Sequence, residues 1–299
     1  MSGCKDKEKN VEKPEIFTFT VFSDVHHDYG RNTYEWPCAH SLEKVKKIIE
    51  ETPDSEFYIQ LGDFSDAYRK EWDEGMAFVK ENGLVPYDPE STETYEGKRI
   101  LYNLLGNHEA AYAEKSSYSD YVPYVENVGS VYGFTHKGVL FLAIDALFNY
   151  VTKTDDPATI RKTQSTGMAV DSNKFTIADP VIAWAENKAR DEINEANGGI
   201  KSIVWLSHIA FKDIDKTSAW TLIDKLNAFG LPLTILEGHT HVGLEQHFDD
   251  YDGDEWNTKV DIYTLPAVVT GYTYAYYNLT FEGGVLKSVD KFTENTIEY

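Results

Sequence analysis

Five short runs in this chain set metal-binding side chains beside glycine or serine. They are Ser23-Asp24-Val25-His26, Gly62-Asp63-Phe64-Ser65-Asp66, Gly106-Asn107-His108-Glu109, Ser207-His208 and Gly238-His239-Thr240-His241. Five of the nine histidines fall inside them. Taken singly each run is ordinary, since Asp-x-His serves as a turn or cap, Gly-Asp as a turn and Gly-His-Thr-His as a surface loop. Together they offer oxygen and imidazole donors without thiolate, a set that suits Mn, Fe, Zn, Ni or Co. The donors outnumber what one ion takes. Two ions about 3.5–4 Å apart that share a carboxylate are the usual arrangement for hydrolysing phosphate esters. Asp63, in the middle of the set, is the natural shared ligand.

The elements that must position these groups can be read upstream of each run. Ile16 to Phe22, Glu56 to Leu61, Ile100 to Leu105, Ser202 to Leu206 and Pro232 to Leu236 are short apolar stretches rich in β-branched and aromatic residues, hence strands. Each of the five runs follows one of them. Val139 to Ile144 is a further strand of the kind buried on both faces. Helices are expected over Ser41 to Glu51, where Leu42, Val45, Ile48 and Ile49 share one face, and over Asp66 to Glu81, Pro180 to Ala196 and Ala219 to Phe229. From Lys259 onward the pattern is hairpin-like, with Gly271 and Gly283-Gly284 at turns. Strands alternating with helices imply an α/β fold with a mostly parallel core, and the β-rich end adds antiparallel strands. In open α/β sheets ligands bind outside the carboxyl ends of the strands, so the topology brings all five runs to one edge.

The 299 residues suffice for a substantial core, and 41% of them are hydrophobic. We read residues 1–14 as a charged tail and 15–299 as one domain. The formal net charge of −22 repels nucleic-acid phosphates, and no Lys/Arg stripe interrupts it, which argues against duplex DNA or RNA as a partner. No apolar run reaches the length of a membrane span. Cys4 and Cys38 are too few for a disulfide framework or a Cys-based zinc site. Ser2-Gly3-Cys4 followed by a charged tether resembles the downstream end of a bacterial lipoprotein signal. On that reading Cys4 carries a lipid anchor and the protein is exported to the periplasm or cell surface. On the other it is a cytoplasmic start with an incidental cysteine.

In order, Asp24-x-His26, Gly62-Asp63, Gly106-Asn107-His108-Glu109, His208 and Gly238-His239-x-His241 resemble the signature of the calcineurin-like metallophosphoesterases, from Ile16 to about Val242. The resemblance implies a four-layer α/β/β/α sandwich of two mixed sheets flanked by helices, with a dimetal centre at the strand ends. It implies that one ion takes Asp24, His26, Asp63 and His241, and the other Asp63, Asn107, His208 and His239. It also implies that His108 serves the leaving oxygen, with Asp66 orienting its imidazole. Glu109 is either a hydrogen-bond acceptor behind the ligands or a carboxylate at a helix N-terminus. The expected cofactors are two divalent or mixed-valence transition-metal ions. The expected reaction is one-step hydrolysis of a small phosphomonoester or phosphodiester by a bridging hydroxide. The rival readings are a nucleotide or cyclic-nucleotide phosphodiesterase and, from another class, a binding or scaffold protein without turnover.

The chain departs from named branches at identifiable places. Protein serine/threonine phosphatases carry arginines where Ala67 and Leu105 stand, so a phosphoprotein substrate is not expected. Purple acid phosphatases place a tyrosine ligand where Asp66 stands. His208 is followed by Ile209-Ala210, without the proline common in the family. His27, Arg31 and Arg161 are candidate substrate contacts. The polar stretch Phe148 to Thr176, within a segment of about 146–178, is long for a loop and leaves a strand end on the metal edge, where it could cover the site.

Overall fold

The computed structural model describes residues 13–27, 40–65, 69–88, 91–92, 94–109, 131–150, 164–168, 170–171, 174–248, 260–268 and 273–295. In chain order its elements are β1 (Ile16–Phe22), α1 (Ser41–Glu51), β2 (Phe57–Gln60), α2 (Arg69–Glu81), β3 (Leu84–Pro86), β4 (Arg99–Asn103), β5 (Tyr132–His136) and β6 (Val139–Ala143). Next come β7 (Phe148–Tyr150), β8 (Gln164–Met168), β9 (Val170–Asp171), β10 (Lys174–Phe175), α3 (Asp179–Glu195) and β11 (Ser202–Ser207). A 3-10 turn (Phe211–Asp213), α4 (Lys216–Asn227), β12 (Leu233–Glu237), β13 (Leu244–Phe248), β14 (Val260–Thr264), β15 (Thr273–Glu282) and β16 (Val285–Asn295) complete the set.

Two six-stranded sheets dominate, in the orders β16-β15-β1-β2-β4-β3 and β13-β14-β12-β11-β6-β5. The central strands run parallel: β1 with β2 and β2 with β4 in the first sheet, β6 with β11, β11 with β12 and β12 with β14 in the second. Antiparallel strands flank them, with β15 on β1, β16 on β15, β5 on β6 and β13 on β14. Both sheets are therefore mixed and flanked by helices, as the four-layer α/β/β/α sandwich requires.

The side-chain period of two sorts each strand between layers. Val139, Phe141 and Ala143 of β6 point into the space between the sheets, and Leu140 and Leu142 point to the helices. Between the sheets the filling is aromatic. Tyr102 of β4 stacks on Phe134 of β5 at 3.7 Å between centroids, Phe134 stacks on Phe141 at 4.7 Å, and Phe19 of β1 stacks on Phe57 of β2 at 4.8 Å. Such rings bury a large apolar area in fixed geometry, and Tyr102 on Phe134, with Phe19 edge-on to Phe141 at 5.5 Å, joins one sheet to the other. Helix α1 buries Val45, Ile48 and Ile49, the face expected from its spacing. Helix α4 begins at Lys216, earlier than its apolar pattern suggests, because the Asp215 carboxylate accepts the Ser218 N–H at 2.9 Å and caps it. Asp66 at the expected start of α2 lies outside the described residues, as do Cys4, Arg31 and Arg161. The 146–178 segment is not featureless, for β7 pairs with β8 and β9 with β10. No helix among the described residues is long and apolar enough to cross a membrane.

Candidate metal centre

Three of the five donor-bearing runs leave their strands through left-handed backbone. Asp24, His26, Asp63, His239 and His241 all have positive φ, between 46° and 70°. For residues other than glycine that conformation costs of order 1–3 kcal/mol each and gathers at functional sites. The turn after β1 and the turn after β2 stay paired past their strands, through Asp24 N–H to Gly62 C=O at 3.1 Å and His26 N–H to Asp63 C=O at 2.9 Å. Gly62 combines φ of 105° with the His208 ring lying where its Cβ would stand, 2.5 Å from Nδ1. At Gly106 a Cβ would lie 2.0 Å from Asp63 Oδ1. The glycines of these motifs let one turn press against the donor presented by another.

Glu109 resolves its two readings as an acceptor. Its carboxylate takes the N–H groups of Asp63 (3.0 Å), Gly106 (2.7 Å) and Ser65 (2.7 Å) and the Ser65 hydroxyl (3.0 Å). It fastens the Gly-Asp turn to the Gly-Asn-His turn from beneath. Burial, reinforced by the Asp63 charge, pushes its carboxyl above the ordinary value despite those donors.

On this footing the described residues form three clusters of donors whose ligand atoms all lie within 4.8 Å of one another: Asp24, His26 and His241; His26, Asp63 and His108; and Asp63, His208 and His239. Asp63 is central. Its Oδ1 accepts the His108 N–H at 2.8 Å, while Oδ2 stands 3.3 Å from His208 Nε2, 3.7 Å from His26 Nε2 and 4.0 Å from His108 Nε2. Asn107 Oδ1 lies 2.9 Å from His208 Nε2 and 2.8 Å from His239 Nδ1. His26 Nε2 and His241 Nε2 approach to 3.0 Å, and Asp24 Oδ1 is 3.2 Å from His241 Nε2. The structure thus brings together Asp24, His26, Asp63, Asn107, His108, His208, His239 and His241. His27 is not among these clustered donors; its N–H pairs with Phe64 C=O, and Glu74 of α2 and Glu43 of α1 are the charged groups that act on it. His40 is the N-cap residue of α1, as its position before the helix suggests.

The donor chemistry fits two cations. Asp24 Oδ1 is buried without a hydrogen-bond donor. His208 gives its Nδ1 side to the Leu61 carbonyl at 2.9 Å, which leaves the Nε2 lone pair for the site. A ring nitrogen tied to a carbonyl behind it is the usual setting of a metal-bound histidine. The electrostatics agree. Burial opposes ionisation of Asp63, but His208, His26 and His108 outweigh it and hold the carboxyl well below the usual range. Burial also opposes charging His208, yet the Asp63 carboxylate prevails and lifts it to about 9, while burial and the His208 charge push His239 down to about 4. Protonated His208 thus supplies the positive charge that Asp63 calls for, while His239 stays neutral.

His26, His208, Asp24 and Asp63 are almost fully buried, whereas the His108 and His241 side chains are 33% and 25% exposed. The His108 ring lies edge-on to His26 with centroids 4.5 Å apart. A small recess of about 10 Å³, room for one water, lies beside His208 and is lined by Leu104, Leu105, Ile144, Asp145, Leu147 and Ile209. Phe175 of β10, in the 146–178 segment, sets its ring edge-on to His239 at 5.7 Å.

One group escapes a motif-based reading. Glu237, the last residue of β12, is buried, accepting the Thr264 hydroxyl at 2.6 Å and the Phe211 N–H at 2.7 Å. Its signal in the sequence is a carboxylate closing the otherwise apolar run Leu233-Thr234-Ile235-Leu236.

Comparison with known proteins agrees with this geometry. Residues 17–243 match the family described as calcineurin-like phosphoesterase. No curated protein matches the chain. Among solved structures, a dimetal phosphatase from Danio rerio is similar with TM-score 0.55 at 12% identity, over 93% of this chain and 98% of that one. The NAD nucleotidase of Haemophilus influenzae is similar with TM-score 0.44 at 12% identity, over 93% of this chain and 49% of that one. A Thermus thermophilus protein, TT1561, gives TM-score 0.44 at 11% identity, over 90% and 100%. With its motifs meeting at one edge and its match spanning most of the fold, the chain belongs to the calcineurin-like phosphoesterase family, as a metal-dependent hydrolase of phosphoric esters.

Proposed function

We propose that this protein hydrolyses a small phosphomonoester or phosphodiester in one step, with Asp24, His26, Asp63 and His241 holding one metal ion and Asp63, Asn107, His208 and His239 the other. The observation that carries the reading is Asp63 Oδ2, set between His208 Nε2 and His26 Nε2 at 3.3 and 3.7 Å. A carboxylate oxygen flanked by imidazole nitrogens of two separate clusters suits a shared ligand. Oxygen and imidazole donors favour ions of the Mn to Zn series. When bound, such a pair supplies Lewis acidity, acidifying a water and offsetting charge on the phosphoryl oxygens.

The remaining chemistry belongs to the side chains. His108, half open to solvent beside Asp63, gives a proton or hydrogen bond to the leaving oxygen as the ester bond breaks, and water takes its place on phosphorus from the opposite side. Asp66 is assigned the part of orienting that imidazole. The buried donors stay fixed, because His208 is tied to Leu61 and Asp63 to the His108 N–H. Preorganised groups of this kind need no reorientation as charge develops. The Phe175 contact with His239 supports a part for the 146–178 segment in shaping the substrate's approach. We further assign Cys4 as a candidate lipid anchor.

The test is hydrolysis of p-nitrophenyl phosphate and bis(p-nitrophenyl) phosphate by protein reloaded with Mn, Ni or Zn. Turnover of either, abolished by chelation and restored by metal, supports the proposal and names the ester class. Two bound ions with no turnover of either ester would favour a binding role.

A further inference from the structure

We propose that Glu237 is a positioning residue for the metal centre, its carboxylate holding the turn after His208 in register with the turn that carries His239 and His241. The inference rests on the functional reading above. In the second sheet Ser207, Glu237 and Thr264 are registered side by side at the ends of β11, β12 and β14. They continue the helix-facing rows of Trp205, Ile235 and Ile262, all buried apolar residues. A leucine at 237 would extend that row at less cost, since a buried carboxylate must be desolvated. Its geometry offers the reason for its presence. One oxygen takes the Thr264 hydroxyl at 2.6 Å, and the other takes the Phe211 N–H at 2.7 Å.

Phe211 opens the 3-10 turn three residues beyond His208. The Ser207 hydroxyl donates to Ile209 C=O at 3.0 Å, and the Gly238 N–H donates to His208 C=O at 3.1 Å. The stretch 208–211 is thus pinned at three points, two of them by residue 237 or its neighbour 238. Glu237 touches no donor atom of the centre, so it acts through the backbone that presents His208 and His239.

Four variants test this, each read by calorimetric Mn titration, by kcat and KM, and by melting of the metal-free protein. Glu237→Leu keeps the bulk and removes both acceptors. It should weaken the site formed by Asn107, His208 and His239 about 10–100-fold, the range seen when groups supporting metal ligands are lost. The fall in kcat should exceed the change in KM. Glu237→Gln, which keeps one acceptor, should recover most of the affinity. Phe211→Ala, which loses the ring lying edge-on to Trp220 at 5.5 Å but keeps the N–H, is the control and should bind both ions as wild type does. Phe211→Pro also deletes the donated N–H; Ala210 at φ −65° and ψ 140° already has the conformation a following proline requires. It should reproduce the affinity loss, and it decides the matter should Glu237→Leu not fold. Wild-type protein binding two ions, with Glu237→Leu and Phe211→Pro also binding both at unchanged affinity, would overturn the inference while leaving the functional reading intact. Equal losses in Glu237→Gln and Glu237→Leu would overturn it too. A wild-type protein that binds no metal would refute the functional reading itself.

Discussion

Replacing Gly106 with alanine adds one methyl group where no space exists. The new Cβ would lie 2.0 Å from Asp63 Oδ1, 2.2 Å from Asp63 N and 2.7 Å from Asp63 Cγ. Real Cβ atoms keep at least 3.0 Å, so the two turns must part by about 1 Å. Neither side yields easily. The Asp63 backbone is bonded to Glu109 and His26, and its carboxylate to the His108 N–H. Overpacking of this kind costs about 1–3 kcal/mol, and each kcal/mol lowers Tm by about 2–4 °C in a large domain. The effect on turnover should be greater, since a reactive group misplaced by about 1 Å loses roughly 100-fold. The assay pairs melting of the metal-free protein with kcat/KM on a p-nitrophenyl ester and metal content of the same sample. The expected result is a modest fall in Tm, about 100-fold lower kcat/KM and weaker metal binding. Gly106→Ala retaining two tight ions and near-native kcat/KM would refute the claim that the glycine exists to let Asp63 approach.

Asp63→Asn should lower affinity at both metal sites together, checked by metal analysis after dialysis; two tightly held ions in that variant would contradict a shared carboxylate. Glu109→Gln turns an amide NH₂ toward backbone N–H groups that now meet a carboxylate oxygen. With each orphaned buried donor costing about 1–3 kcal/mol, a Tm several degrees lower is expected, and an unchanged Tm would show that the fastening is dispensable. Glu56, although buried in part, is held below its ordinary value of 4.5 by Lys137 and His136, which donate to it at 2.6 and 2.8 Å. A carboxyl whose folded pKa is depressed stabilises the fold above its unfolded pKa and loses that contribution as pH falls through the folded one. Glu56→Gln should therefore melt lower than wild type near neutral pH, and the two curves should converge on acidification below 4.5. A gap of constant size across that range would contradict the ion-pair account.

Much of this architecture is legible in the chain because the chemistry sits where pattern is strongest. The parallel strands are short, largely buried runs, and five of them end in turns of Ser-Asp, Gly-Asp, Gly-Asn, Ser-His or Gly-His composition. The aromatic filling between the sheets is not legible, because Val139 to Ala143 is apolar throughout and its pattern does not say which face meets which neighbour. Elements escape where that pattern fails. Leu84–Pro86 is a three-residue edge strand closed by proline, Tyr132–His136 carries glycine and histidine, and Leu244–Phe248 is an exposed edge strand with polar residues between its apolar ones. Within the centre, the donors and their order could be read, and the hydrogen bonds behind them could not. Glu109 touches Asp63 and Ser65 from over forty positions away in sequence. Glu237 reaches Phe211 and Thr264 through sheet register alone, which no local spacing encodes.

A dinuclear centre on Asp63 is tested most directly by metal stoichiometry measured together with turnover. Protein stripped by chelation and titrated with Mn should bind two ions per chain by elemental analysis, and p-nitrophenyl ester hydrolysis should appear only as the second is taken up. Saturation at one ion or none, or hydrolysis that persists in the stripped protein, would contradict a dinuclear phosphoesterase centred on Asp63.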